Sequence, residues 1–200
     1  MKGKIDVRAN AKRHTGFSLT ELVVALAIAM VLMAVGLPAF LRAYRSYQLS
    51  NAATEVADIL RLARYEAIRR NTLVNCVVQA TGTTPPTTNM WVDSAVVNGA
   101  PDPTEKIIVL GSAGNLISPP GTAPPISSDV GTLFVNTPSA TASTVQFDAR
   151  GAVKPPTRVN VFYLASEVAP EAGYRAVVLM PAGAIQIWQG DSSGNWAELR

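Results

Sequence analysis

"GFSLTELVVALAIAMVLMAVGLPAF" (Gly16–Phe40) decides how the rest of the chain is read. From Phe17 to Leu41 there are 25 residues and a single charge, Glu21. At about 1.5 Å of rise per residue, roughly 20 apolar residues cross a bilayer, so this run predicts one membrane-spanning helix. Lys2, Lys4, Arg8, Lys12 and Arg13 crowd the segment before it, against Asp6 alone, while only Arg42 and Arg45 follow closely. The positive-inside rule then keeps the N-terminus in the cytoplasm and exports the remainder. A cleavable secretory signal fits poorly, because its apolar region spans about 7–15 residues and carries no charge at its head. Glu21 is the anomaly. A charge at membrane depth costs about 2.5–3.5 kcal/mol on insertion scales. It calls either for a partner or for snorkelling to the headgroups one turn away.

The net charge of +3 and the pI near 9.2 belong to that basic tail. Without the first 16 residues, 12 Lys and Arg face 13 Asp and Glu. A general nucleic-acid footprint is therefore not supported by net charge. The 200 residues allow one domain with its own core plus an appendage. Cys76 is the only cysteine, which excludes an intramolecular disulfide, and it reads as a small apolar strand residue. His14, the only histidine, lies in the basic tail.

Beyond the apolar run the helical period continues. Leu49, Ala52, Ala53, Val56, Ile59, Leu60, Ala63 and Ala67 recur at three- and four-residue steps, with charged residues between them. Glu66 and Arg70 form an i,i+4 pair in the favourable order. One helix is expected from about Ser18 to about Arg70, stopping at Asn71. Gly36 and Pro38 interrupt the pattern, and Pro38 removes a backbone donor, so a kink or local melting is expected there.

These residues carry a resemblance. "GFSLTEL" (Gly16–Leu22), behind a short basic leader, resembles the class III prepilin signal of type IV pilins and type II secretion pseudopilins. The resemblance implies cleavage between Gly16 and Phe17 by a prepilin peptidase, N-methylation of Phe17, and a role for Glu21 as the carboxylate at the fifth mature position. In that family's filament arrangement the carboxylate pairs with the free N-terminal amine of a neighbouring subunit, which exists only after cleavage.

After Asn71 the period changes to two or to short apolar runs. Candidate strands are Leu73–Val78, Met90–Val92, Ile107–Leu110, Thr132–Val135, Val145–Phe147, Val159–Tyr163, Tyr174–Met180, Ala184–Trp188 and Trp196–Leu199. Between them lie turn-rich segments such as "TGTTPPTTN", "GSAGNLISPPGTAPPISSD", "ARGAVKPP" and "QGDSSGN", which read as solvated connectors. This punctuation predicts a small antiparallel sheet domain. "LRLARYEAIRRNTLVNCVV", "MWVDSAVVNGAPDPTEKII", "VQFDARGAV" and "YRAVVLMPAGAIQIW" resemble, in order, elements of the GspH/FimT group of minor pilins and pseudopilins. The last two resemble its paired Phe-x-x-x-Gly and Pro-x-Gly hairpins.

Enzyme chemistry finds little to use. Without the leader the chain has no histidine and one cysteine, which excludes a Ser-His-Asp triad, a Cys-His dyad and histidine- or thiolate-rich zinc sites. Asp148, Glu167 and Glu171 sit in turn-like settings and read as surface acids. "GSAGN" lacks the following Lys-Ser/Thr of a phosphate loop, and "DSSGN" has too few carboxylates for a calcium loop. No catalytic residue, metal or cofactor is expected. Some FimT-type pilins are linked to DNA uptake through a Gly-Arg-x-Arg element in the C-terminal hairpin; the matching positions here are Gly183, Ala184, Ile185 and Gln186, without either arginine. Arg150, Lys154 and Arg158 remain as a possible weak anion patch.

The expected architecture is α+β in the manner of the type IV pilin fold. It comprises a leader (1–16), the transmembrane half of a long helix (17–41), its amphipathic half (42–71) and a β-rich periplasmic head (72–200). The resemblance implies a non-catalytic minor pilin or pseudopilin of a type IV pilus or type II secretion system, anchored by a single pass in the bacterial inner membrane. Its implied partners are other pilins through the N-terminal helices, the prepilin peptidase/methyltransferase and the inner-membrane assembly platform. Two alternatives remain: a tip pilin that binds DNA or a surface ligand, and a plain membrane-anchored periplasmic protein.

Overall fold

The computed structural model describes residues 17–81, 87–94, 98–117, 119–126, 134–138, 142–191 and 193–199. The leader with His14 and Gly16, the middle of the first Thr/Pro loop and the first two residues of the candidate strand Thr132–Val135 lie outside them. The chain divides into two compact units, Met1–Phe40 and Leu41–Arg200.

Helix α1 runs from Leu19 to Arg70, as the continuous three- and four-residue spacing predicts. Within the first unit the most apolar 18-residue window is long and apolar enough to cross a membrane, and none of it is buried. The helix continues unbroken through Gly36 and Pro38. What Pro38 removes is one donor, leaving the Ala34 carbonyl without its i→i−4 partner.

In the second unit the same helix buries Leu49, Ala53, Val56, Ala57, Ile59, Leu60, Ala63 and Ala67. Four of these eight are alanines, which lets the sheets approach the helix closely. Its end is a Schellman motif: Asn71 takes the left-handed conformation (φ 50°). The Thr72 N–H donates to Ala67 O and the Asn71 N–H to Ile68 O, both at 3.2 Å. Glu66 Oε2 accepts Arg70 Nε at 2.8 Å, as the spacing predicts, and also Arg69 Nη2 at 2.6 Å.

Eleven strands follow among the described residues: β1 Val74–Thr81, β2 Thr87–Asp93, β3 Ile107–Leu110, β4 Asn115–Leu116, β5 Phe134–Asn136, β6 Ala142–Phe147, β7 Val153–Lys154, β8 Arg158–Ala165, β9 Tyr174–Leu179, β10 Ile185–Gly190 and β11 Trp196–Leu199. A first sheet has the order β3-β2-β1-β6-β7 and a second the order β11-β10-β9-β8-β4. All these pairs are antiparallel. The one departure is β5, which runs parallel to the first residues of β8. A 3-10 turn, η1 Pro170–Ala172, leads into β9.

The core joins the buried face of α1 to Val74, Cys76, Val78, Val145 and Phe147 of the first sheet and to Phe162, Leu164, Val177 and Leu179 of the second. The second sheet has a further apolar face. Val159, Val161, Tyr163, Ala176 and Val178 point the other way and are covered by Ile126. This corrects the reading of "GSAGNLISPPGTAPPISSD" as a solvated connector. Strands β8 and β9 lack polar alternation and are buried along nearly their whole length. Their outer face needs a lid, and the segment around Ile126, with β4 at its start, supplies it. "ARGAVKPP" is likewise more than a turn, because Val153 and Lys154 pair with Phe147 and Gln146.

Candidate functional site

The segment expected to carry processing and assembly begins at Phe17, which is 82% exposed. Leu22 N–H donates to Ser18 O at 3.1 Å, closing the first helical turn, and Ser18 Oγ and Thr20 Oγ1 share a bond of 2.8 Å. Ser18 thus stands at the N-cap position and Glu21 three residues on, the spacing of a capping box. That spacing is legible in "SLTE" (Ser18–Glu21). A carboxylate in the first turn also meets the partial positive charge of the helix N-terminus. Glu21 is exposed.

Of the three basic residues read as an anion patch, two come together. Arg150 and Lys154 line a cleft of about 370 Å3 with Asn71, Thr72, Leu73, Asp148 and Ala149. Arg158 lines a separate concavity with Val135, Asn136, Pro155 and Thr157. Asp148 also sits within the patch. Its Oδ1 accepts the Ala152 and Arg150 N–H groups, each at 2.9 Å. These bonds, the one from Ala152 foremost, hold its carboxyl below the ordinary range, so it stays ionised between the two cations.

The two hairpin motifs converge on one helical side chain, Arg64, to which sequence reading assigned no role. The Phe147–Gly151 turn closes with Gly151 N–H to Asp148 O, and Val153 N–H donates to Pro181 O, each at 2.8 Å. Arg64 Nη1 donates to Gly183 O at 2.9 Å. Gly151 and Gly183 both have left-handed φ, 76° and 81°. A Cβ on Gly151 would lie 2.8 Å from Ile68 Cδ1 and 2.9 Å from Arg64 Cγ, and one on Gly183 would collide with Gly151 O. Glycine is needed at both positions for conformation and for space.

The acids of the "MWVDSAVVNGAPDPTEKII" segment fold its loop. Asp93, fully buried, accepts the Gly99 N–H at 2.8 Å. Glu105 accepts those of Ser94 and Asp102 at 2.7 and 3.0 Å. Glu171 is held below the usual carboxylate range by its own backbone N–H and by Arg45, whose Nη1 is 3.0 Å away. Asn195 does the same for Asp191. Cys76 is buried, and desolvation pushes its thiol up to about 12, which suppresses the reactive thiolate. Among the described residues no three His, Cys, Asp or Glu side chains converge as a metal site would need.

Another residue that sequence inspection missed is Arg175, which is 1% exposed. Its guanidinium donates to Ser50 Oγ at 3.1 Å, Ser46 Oγ at 2.9 Å and Tyr174 O at 2.9 Å, tying β9 to α1. A lone arginine in a strand looks like a surface residue, and only the tertiary structure buries it.

Residues 52–183 match the family described as type II transport protein GspH. Residues 11–37 match the prokaryotic N-terminal methylation motif. No curated protein matches the chain. Among solved structures, two crystal forms of the type IV minor pilin FimU from Pseudomonas aeruginosa (strain PAO1) are similar. One has 16% identity over 76% of this chain and 93% of that one, with a TM-score of 0.47. The other has 17% identity over 74% and 97%, with a TM-score of 0.45.

Proposed function

The chain belongs to the type II transport protein GspH family and carries the N-terminal methylation motif, and from that premise we propose that it is a minor pilin or pseudopilin processed and assembled through its N-terminal helix. The observation that carries this reading is the position of the motif. It spans the Gly16–Phe17 junction, Glu21 and the start of an apolar helix whose side chains are exposed, among them Leu22, Val24, Met30 and Leu32. A prepilin peptidase cuts at that junction and Phe17 is methylated. The freed amine of one subunit meets Glu21 of another, and the apolar surface packs beside those of neighbouring subunits. Before assembly the chain is a single-pass protein of the inner membrane with its head in the periplasm.

The role is structural. Asp93, Glu105, Asp148 and Glu171 are each engaged in a turn, a loop or an ion pair, and the one thiol is buried. A DNA-binding tip role receives less support, because Arg158 stands apart from Arg150 and Lys154, and Ala184, Ile185 and Gln186 follow Gly183 in the hairpin.

A photo-crosslinking residue at Met30 tests the assembly claim in cells that make the complete machinery. Adducts with other pilin-family subunits are expected; a product that stays monomeric under illumination would count against assembly through this helix.

A further inference from the structure

The loop that leaves β2 carries an Asn-Gly pair, Asn98–Gly99, in an exposed stretch. At such a pair the side-chain amide can approach the next backbone nitrogen with little steric opposition, because glycine has no Cβ. Here each of the two groups already has a partner. The Gly99 N–H donates to Asp93 Oδ2 at 2.8 Å. The Asn98 side-chain carbonyl oxygen, Oδ1, accepts the Ala100 N–H, also at 2.8 Å. The nitrogen is therefore held by a carboxylate base, and the carbonyl is polarised by a donor.

Asp93 does only half of what a loop anchor could do. It is fully buried, yet its Oδ1 has no hydrogen-bond partner. A buried polar atom left unsatisfied is costly and calls for a reason. Glu105, which holds the same loop, uses both of its oxygens, on the Ser94 and Asp102 N–H groups. The surroundings leave room for chemistry. Asn98, Gly99 and Ala100 are all exposed, so ammonia can leave and water can enter. Gly99 has φ 74°, and a Cβ there would meet nothing within 4 Å, so no neighbouring atom crowds a ring closing at this point.

We propose that Asn98–Gly99 is a self-modifying site, at which Asp93 promotes cyclisation of the asparagine to a succinimide. Asp93 takes the proton from the Gly99 nitrogen, and that nitrogen attacks Asn98 Cγ. The new N–Cγ bond moves negative charge onto Oδ1, where the Ala100 N–H stabilises it. Collapse breaks the Cγ–Nδ2 bond, and Nδ2 departs as ammonia with the proton returned by Asp93. Solvent water then opens the ring at either carbonyl, leaving aspartate or isoaspartate at position 98. Asp93 ends the sequence as it began, and no oxidant or cofactor takes part. The outcome is a second carboxylate in the loop that Asp93 anchors. The reaction uses residues of the head alone and is independent of how the N-terminal helix is processed.

Peptide mass mapping of the newly made full chain, held at neutral pH in mild detergent and sampled over time, tests it. Position 98 is expected to lose one ammonia and then to gain one water. Two comparisons isolate the contribution of the fold. One is the same chain unfolded in guanidinium chloride, where Asp93 and the Ala100 N–H no longer hold the reacting groups. The other is Asp93→Asn, scored only if its near-ultraviolet circular dichroism matches that of the parent. Both are expected to react at least about tenfold more slowly than the folded parent, a fraction of what positioned acid–base groups contribute. An unfolded chain that loses its amide as fast as the folded one, or faster, would overturn the site and leave Asp93 as a loop anchor only. A well-folded Asp93→Asn chain that reacts at the parental rate would do the same.

Discussion

Arg64 Nη1 lies 2.9 Å from the Gly183 carbonyl oxygen, and that single bond ties α1 to the turn between β9 and β10. Gly151 closes against the same arginine, so a hairpin from each sheet is pinned to one helical side chain. Neither turn tolerates a side chain. Gly183→Ala is expected to cost roughly 1–3 kcal/mol from its left-handed backbone alone, and Arg64→Ala a similar amount by leaving a carbonyl unpaired. Because both changes damage one junction, their effects in the double variant should fall short of the sum. The urea midpoint of the full chain in detergent, followed by tryptophan fluorescence, measures this; strictly additive losses would contradict the shared junction.

The pH profile follows from groups perturbed in opposite directions. Glu66 is held below its ordinary pKa by its hydrogen bond from Arg69 and, less strongly, from Arg70. A depressed folded pKa adds stability that is complete above the ordinary carboxylate value of about 4.3. It is lost as pH falls through the folded value. Cys76 is the reverse case. Its stabilising contribution is complete below the free-thiol value of about 8.5, and it drains away as pH rises towards about 12. The Tm should therefore be flat between about pH 5 and 8 and fall on both sides. Glu66→Gln should blunt the acid fall and Cys76→Ala the alkaline one; unchanged slopes in both variants would refute these assignments.

Much of this fold was legible because its signals are local. The apolar run and the alanine-rich spacing mark α1 to within a residue at its start, and β3 and β11 match their expected bounds because Pro, Gly and Asn flank them closely. What escaped reading depends on distant partners. Two-residue strands such as β4 and β7 have no periodicity of their own. They exist because Ala165 and Leu164, or Gln146 and Phe147, lie opposite them. Ile126 looks like one apolar residue in a Pro-rich loop until the outer face of β8 and β9 requires a cover. The site divides in the same way. Glu21 stands out from the sequence because a charge interrupts an apolar run. Arg64, Arg158 and Arg175 differ only in what the fold places around them.

Glu21→Ala isolates the assembly step from the processing step. Leader removal should proceed as in the parent, since the junction is intact, while entry into filaments should fall sharply for want of the carboxylate that meets a neighbour's amine. Quantitative recovery of the variant in the filament fraction would overturn the ion-pair account and leave Glu21 as the third residue of an N-terminal cap.

The central claim, that this is a processed pilin-type subunit, is tested most directly by the intact mass of the chain extracted from membranes with and without the prepilin peptidase. With the enzyme present, the mass should fall by that of residues 1–16 and rise by one methyl group, with Phe17 as the first residue. A full-length mass in both preparations would contradict it.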